Sequence, residues 1–130
     1  MFANDGIRVA PQSVLKIEDA GNKVIYESNK NDRGNRVVST EIARTINDVL
    51  SDNSSRTKIF GSRSSLYIDG YKVAAKSGTT QEFRDGWTVG YTPSVVTGVW
   101  AGNNDSSPTR MGEGVFTAGP IWNADRKSVV

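Results

Sequence analysis

The sequence predicts an α/β fold of the α+β type, an antiparallel sheet with flanking helices, on three observations. Residues 40–51 repeat their apolar side chains at helical spacing. Trp87, Val89 and Tyr91 alternate cleanly, as a half-buried strand does. An apolar run over residues 95–101 then returns after only the tight turn Thr92-Pro93-Ser94. Strands this close in sequence must be antiparallel, because a parallel crossover needs a dozen or more residues. At 130 residues the chain suits one domain, burying roughly two-thirds of its unfolded surface.

Each element has a local reason. Phe2-Ala3-Asn4 reads as the tail of a helix. Residues 13–18 alternate, with Val14 interrupting, and residues 23–27 form a second apolar run. The Asp19-Ala20-Gly21-Asn22 turn between them makes a β-hairpin. Asn29 to Asn35 is a polar loop. Ser39 is placed to cap a helix over residues 40–51, with Glu41 in its first turn and Ile42, Ala43, Ile46, Val49 and Leu50 on its apolar face. The Ser51-Asp52-Asn53-Ser54-Ser55 cluster ends it, and residues 54–70 read as a polar loop with a few apolar anchors. A strand over residues 71–76 runs into Ser77-Gly78-Thr79-Thr80, making with the next two a three-stranded sheet backed by the 40–51 helix. Asn103 to Glu113 is an irregular loop, and Ala118-Gly119-Pro120-Ile121-Trp122 a helix start with proline in its first turn.

Composition narrows the chemistry. The chain has 16 basic and 14 acidic residues, a net charge of +2, and neither histidine nor cysteine. That excludes Ser-His-Asp and Cys-His machinery, imidazole metal sites, thiolate nucleophiles and disulfides. Acid–base work falls to Lys, Asp, Glu, Tyr or a hydroxyl. The charges are mixed along the chain without a basic stripe, so no nucleic-acid partner is expected. No metal or cofactor is expected either: Asn103-Asn104-Asp105 reads as turn chemistry, since a Ca²⁺ loop wants more widely spaced carboxylates. No apolar run approaches the ~18 residues of a membrane span, and the first six residues are not a signal peptide.

The candidate site is Lys76-Ser77-Gly78-Thr79-Thr80. It places a cation and hydroxyls at a strand end around a residue without a side chain, which weakens a strand unless something approaches the backbone closely. On these residues alone the plainer reading is a solvated lysine before a glycine turn, since Lys-Ser/Thr-Gly is common by chance. Trp87, Tyr91 and Trp100 read as sheet-face packing. Asp85 fixes the turn entering its strand, and a pairing with Arg84 would be exposed and weak.

The flanks add a family. Val73-Ala74-Ala75-Lys76-Ser77-Gly78-Thr79-Thr80-Gln81, Arg84-Asp85-Gly86-Trp87-Thr88-Val89-Gly90-Tyr91-Thr92-Pro93, Gly98-Val99-Trp100-Ala101-Gly102-Asn103-Asn104-Asp105 and Ala118-Gly119-Pro120-Ile121-Trp122 follow in order. Together they resemble the C-terminal half of the transpeptidase domain of class A (bifunctional) penicillin-binding proteins, a β-lactamase-like fold. Phe2-Ala3-Asn4-Asp5-Gly6, Lys16-Ile17-Glu18-Asp19 and Leu50-Ser51-Asp52-Asn53 fit too, so the resemblance spans about Phe2 to Trp122. It divides residues 1–130 into a helix remnant and hairpin (1–30), a helix (39–52), a catalytic sheet portion (71–102) and a truncated C-terminal helix (117–130).

The resemblance implies an acyl-serine mechanism, in which a serine attacks the D-Ala-D-Ala bond of a peptidoglycan stem peptide, a neighbouring stem's amine resolves the acyl-enzyme, and β-lactams trap the serine. The family's signature is Ser-x-x-Lys, Ser-x-Asn and Lys-Thr/Ser-Gly, of which the third maps here. By resemblance Lys76 steers the carboxylate and tunes the dyad, Ser77 hydrogen-bonds that carboxylate, Gly78 keeps the strand open and Thr79 lends a backbone N–H to the oxyanion hole; Thr80 borders the substrate. Ser13-Val14-Leu15-Lys16 and Ser55-Arg56-Thr57-Lys58 match Ser-x-x-Lys literally, and Ser51-Asp52-Asn53 matches Ser-x-Asn. The dyad needs its serine at a helix N-terminus with lysine one turn on; Ser13 reads as strand and Ser55 as loop. In the family the Ser-x-x-Lys and Ser-x-Asn motifs lie upstream of everything present here, so the resemblance implies a nucleophile on a missing N-terminal half of the domain. Asn123-Ala124-Asp125-Arg126-Lys127-Ser128-Val129-Val130 does not read as the amphipathic helix expected after Pro-Ile-Trp, so both ends look cut, and the chain alone is expected to be inactive and prone to associate. Membrane contact would come through the parent's anchor, on the extracytoplasmic face of the bacterial envelope. A β-lactamase or D,D-carboxypeptidase relative, or a non-catalytic binding module keeping the sheet, are the alternatives.

Overall fold

Ser39 starts the first helix: its hydroxyl accepts from the Ile42 N–H at 3.3 Å, and helix α1 runs Thr40–Ser51. The computed structural model describes residues 1–29, 33–110 and 112–127, Lys127 by its backbone alone. Phe2–Asn4 form a single 3₁₀ turn. The short ladder of β1 (Ile7–Arg8) and β4 (Asn35–Arg36) follows, with the hairpin of β2 (Lys16–Glu18) and β3 (Val24–Glu27) between them. Asp19 makes the hairpin turn, its Oδ1 accepting from the Gly21 and Lys23 N–H groups at 2.8 and 3.0 Å. The expected loop from Asn29 crosses residues 30–32, which lie outside the described residues.

The first departure is helix α2, Asn53–Phe60, where a loop was expected. Asp52 ends α1 and caps α2 at once, its side chain accepting from the Ser54 N–H. Nothing announces this helix as an amphipathic stripe: Ile59 is 78% exposed and only Phe60 leans on the core.

The sheet is antiparallel in the order β5-β6-β7, with β5 Ala74–Thr79, β6 Asp85–Tyr91 and β7 Val96–Gly102. β5 starts later than expected. Ala74 pairs with Tyr91, and the chain turns away at Thr92, so residues 71–73 have no strand residue opposite them.

Helix α3, Gly114–Lys127, corrects the other expectations. It begins before Ala118, holds Pro120 in its interior, and continues through Asn123 to Lys127 as a helix. Val115, Ala118, Trp122 and Arg126, three and four residues apart, are its buried stripe. It is α3, lying on β6, β7 and β5, that backs the sheet; α1 lies against β5 and the Phe2–Asn4 turn. The close approach has a steric cause. A Cβ on Gly86 would stand 1.9 Å from Thr117 Oγ1, and one on Gly90 would stand 2.3 Å from Trp122 Cζ2. Leu66, Ile68, Val73, Ala75, Val115 and Trp122 form the core beneath.

Candidate active site

β5 meets a strand along one side, β6; among the described residues its other margin carries none. Which groups face that margin follows from the register. The Thr80 N–H donates to the Asp85 carbonyl at 3.1 Å. Opposite residues in an antiparallel ladder alternate between pairs that exchange hydrogen bonds and pairs that do not. Counting back from Thr80, residues Gly78, Lys76 and Ala74 turn their backbone groups to β6, whereas Thr79, Ser77 and Ala75 turn theirs to the open margin. The guanidinium of Arg56, donating to the Ala75 carbonyl at 3.4 Å from outside the sheet, agrees with that parity.

The side chains divide by the same alternation. Lys76 and Gly78 share the outer face with their partners Val89 and Trp87. Lys76 is exposed and its Nζ donates to the Ser77 carbonyl at 2.5 Å. A Cβ on Gly78 would meet Trp87 Cβ at 3.5 Å, ordinary contact, so the fold does not demand glycine there. Ser77 and Thr79 lie on the α3 side. Thr79 Oγ1 accepts from the Gly114 N–H at 3.1 Å, which ties the first turn of α3 to the strand. Gly114 is a contributor without any signal in the sequence pattern: a Cβ on it would stand 2.2 Å from the Gly78 carbonyl oxygen. Thr80 is held differently, its hydroxyl donating to Asp85 Oδ2 at 3.1 Å and accepting from the Asp85 N–H at 2.9 Å. The structure thus brings Lys76, Ser77, Gly78 and Thr79 to one open margin and spends the Thr80 hydroxyl on the turn.

Beyond Thr80, Glu82 and Phe83 both take positive φ, 57° and 55°. Thr109 holds them there, its N–H and hydroxyl both donating to the Phe83 carbonyl at 2.9 Å. Asp85 fixes this turn as expected and also accepts from Trp100 Nε1 at 3.1 Å. Arg84 pairs with Glu82 rather than with Asp85. Trp87 lies opposite Trp100 across the strands, and the Tyr91 hydroxyl donates to Asn47 Oδ1 at 2.7 Å. Burial raises the Tyr91 pKa. Asn103 and Asp105 act as turn groups around Ser107.

The look-alike motifs sort by geometry. Ser13 precedes β2, and Lys16 pairs with Glu18 at 2.6 Å. Asn53 donates to the Ser62 carbonyl at 2.8 Å. Ser55 is not in a loop but in the first turn of α2, with Lys58 one turn on. Its hydroxyl is nonetheless engaged elsewhere, donating to Asp52 Oδ2 at 2.5 Å. The hydroxyls of Ser54 and Ser55 together lower the Asp52 pKa to about 2.

Comparison with known proteins follows the same lines. Residues 1–123 match the family model described as the penicillin binding protein transpeptidase domain. Penicillin-binding protein 1A of Mycolicibacterium smegmatis is 30% identical over 135 residues, covering 95% of this chain and 16% of that protein. Its namesake from Clostridium acetobutylicum is 30% identical over 122 residues, covering 94% of this chain and 14% of its own length. Among solved structures, penicillin-binding protein 1A of Haemophilus influenzae superposes with a TM-score of 0.69 at 22% identity, over 98% of this chain and 24% of that one. An imipenem acyl-enzyme complex of penicillin-binding protein A from M. tuberculosis gives 0.65 at 20% identity, over 98% and 28%. These two share the fold. The chain spans about a sixth of the length of the first of these curated relatives.

Proposed function

The chain belongs to the penicillin-binding protein transpeptidase domain family, and from that premise we propose that it is the C-terminal portion of a peptidoglycan D,D-transpeptidase domain, carrying the substrate-binding strand but not the nucleophile. The observation that carries this reading is the open margin of β5, where the backbone groups of Ser77 and Thr79 face outward beside the exposed Lys76.

A stem peptide ending in D-Ala-D-Ala adds to that margin as an extra strand, by backbone hydrogen bonds. Its terminal carboxylate meets the Lys76 ammonium and the Ser77 hydroxyl. The scissile carbonyl meets the Thr79 N–H, one donor of an oxyanion hole; loss of such a donor raises a barrier by about 2.7–4 kcal/mol. A serine and its lysine, one helical turn apart, come from polypeptide outside these 130 residues. The serine oxygen bonds to the carbonyl carbon, terminal D-Ala leaves as the amine, and a neighbouring stem's amine then displaces the serine. A β-lactam stops at the acyl-serine stage. The same reading puts the working domain in the bacterial envelope, outside the plasma membrane.

Fluorescent penicillin tests the division of labour. The 130-residue chain alone takes no covalent label. Co-expressed with a relative's transpeptidase segment bearing Ser-x-x-Lys, it restores labelling, and Lys76→Ala removes it again. Covalent labelling of the chain by itself would overturn the assignment of the nucleophile to another segment.

A further inference from the structure

Within the motif Ser55-Arg56-Thr57-Lys58 the residue with the most telling contacts is Arg56. Its guanidinium is half-buried, and three of its nitrogens reach three carbonyls, two at the junction of α1 and α2 and one on β5. Nη2 donates to the Leu50 carbonyl in the last turn of α1. Nε donates to the Asp52 carbonyl at 3.5 Å, and Nη1 to the Ala75 carbonyl at 3.4 Å. The Leu50 carbonyl is one of those a helix leaves without an intrahelical partner, and a cation suits that negative helix end. A planar fork with five donors can hold three carbonyls at once, whereas an ammonium is a single point of charge. Arg56 therefore pins the leading end of β5 to the junction of α1 and α2.

The Ala75 carbonyl is one of the groups facing the open margin, two residues before Ser77. We propose that Arg56 is a positioning residue that closes this margin at Ala75, so that it accepts a peptide ending in a free carboxylate and rejects one whose chain continues. The inference rests on the proposed strand addition. With the scissile carbonyl at Thr79 and the carboxylate at Ser77, the peptide runs antiparallel to β5 and its C-terminus points toward Ala75. At about 3.4 Å per residue, one terminal residue after the scissile bond carries the carboxylate from Thr79 to about the level of Gly78, next to Ser77. Two or three residues more would run into the guanidinium, with the Ala75 carbonyl already taken. The same positive charge lies near the end of the bound peptide, where it favours a carboxylate over an amide.

Amide shifts of the isotope-labelled 130-residue chain read the test, on titration with diacetyl-Lys-D-Ala-D-Ala and with the same peptide extended by Gly-Gly. The wild-type chain shows shifts at Ser77 and Thr79 with the first peptide and binds the extended one at least about tenfold more weakly. Arg56→Gln narrows that ratio to under about threefold and brings Ala75 into the shifted set with the extended peptide. Arg56→Lys does the same in part, which separates the fork from the charge. Equal binding of both peptides by the wild-type chain overturns the inference, whatever the variants do, and so does an unchanged ratio in folded Arg56→Gln and Arg56→Lys. If neither peptide shifts Ser77 or Thr79, strand addition itself fails and takes the inference with it.

Discussion

Two glycine-to-alanine substitutions, at Gly90 and at Gly78, separate what the fold requires from what the candidate site requires. A methyl at Gly90 would stand 2.3 Å from Trp122 Cζ2 and 2.9 Å from the Ala74 carbonyl oxygen. Trp122 is wholly buried and its Nε1 donates to the Thr97 carbonyl at 3.2 Å, so it has no free direction in which to yield. Overpacking of this kind costs about 1–3 kcal/mol. Loss of the indole hydrogen bond adds about 1 kcal/mol. A total of about 2–4 kcal/mol is a large share of the 5–15 kcal/mol typical of a domain. Gly78 differs: its methyl meets only Trp87 Cβ at 3.5 Å, and replacing a mid-strand glycine recovers about 0.5–1 kcal/mol of chain entropy. Urea unfolding at neutral pH should therefore place Gly90→Ala far below the wild-type chain and Gly78→Ala level with it or above. Peptide titration should reverse the comparison, with Gly78→Ala impaired because its methyl stands on the outer face beside Lys76, where the peptide's terminal carboxylate would meet the ammonium. A Gly78→Ala chain destabilised by more than about 1 kcal/mol would refute the claim that the missing side chain serves a ligand rather than the fold.

Three other outcomes are expected. The Asp52 pKa is lowered to about 2 from 3.8, so the cap it provides is fully present above the ordinary value and is lost as the pH falls through about 2. The urea midpoint should then fall on acidification between about pH 5 and pH 2 more steeply in the wild-type chain than in Asp52→Asn, which keeps a cap without that titration; parallel curves would contradict it. Lys76 is exposed, and replacing it by Met should leave the unfolding midpoint within about 0.5 kcal/mol while weakening binding of a peptide that ends in a free carboxylate. The outer sheet face leaves Trp87 44%, Val89 42%, Trp100 43% and Val96 62% exposed, so sedimentation at rising concentration should show self-association, with Trp fluorescence shifting to the blue.

What the sequence disclosed is what local chemistry determines. Ser39 and the 40–51 periodicity specify α1 without help from elsewhere, and Asp19 with Gly21 specifies the hairpin turn. Alternation from Trp87 to Tyr91 and the two-way turn at Thr92 specify β6 and β7. Helix α2 stayed hidden because Asp52 both breaks and restarts the chain, and because Ile59 points to solvent where periodicity expects a core residue. The β1–β4 ladder joins Ile7 to Arg36 through two residues on each strand, too few for any pattern. Pro120 drew the predicted start of α3 too far along, because proline favours a first turn. The stripe Val115, Ala118, Trp122, Arg126 was present in the sequence and outweighs it once those residues meet the sheet. For the candidate site the strand residues were readable as one contiguous motif. The contacts of Arg56 with Leu50 and Ala75, and of Gly114 with Thr79, were not, since those groups meet only through the fold.

On the proposed function, the surroundings of β5 restrict where a segment bearing the nucleophile could enter. One edge is paired to β6, and α3 packs on the face bearing Ser77 and Thr79, its first turn bonded to Thr79, without burying either residue. The leading end is held at Ala75 by Arg56, and the trailing end turns through Thr80 into the Asp85 anchor. The open edge and the outer face beside Lys76 remain. A serine brought within reach of a carbonyl at the Thr79 N–H must then arrive over the outer face, across the same exposed Trp87 and Val89 whose burial would favour its docking. Lys76 lies on that outer face beside the open edge. An α3-side approach would have to displace Trp122 and Thr88, both fully buried, before reaching the strand at all.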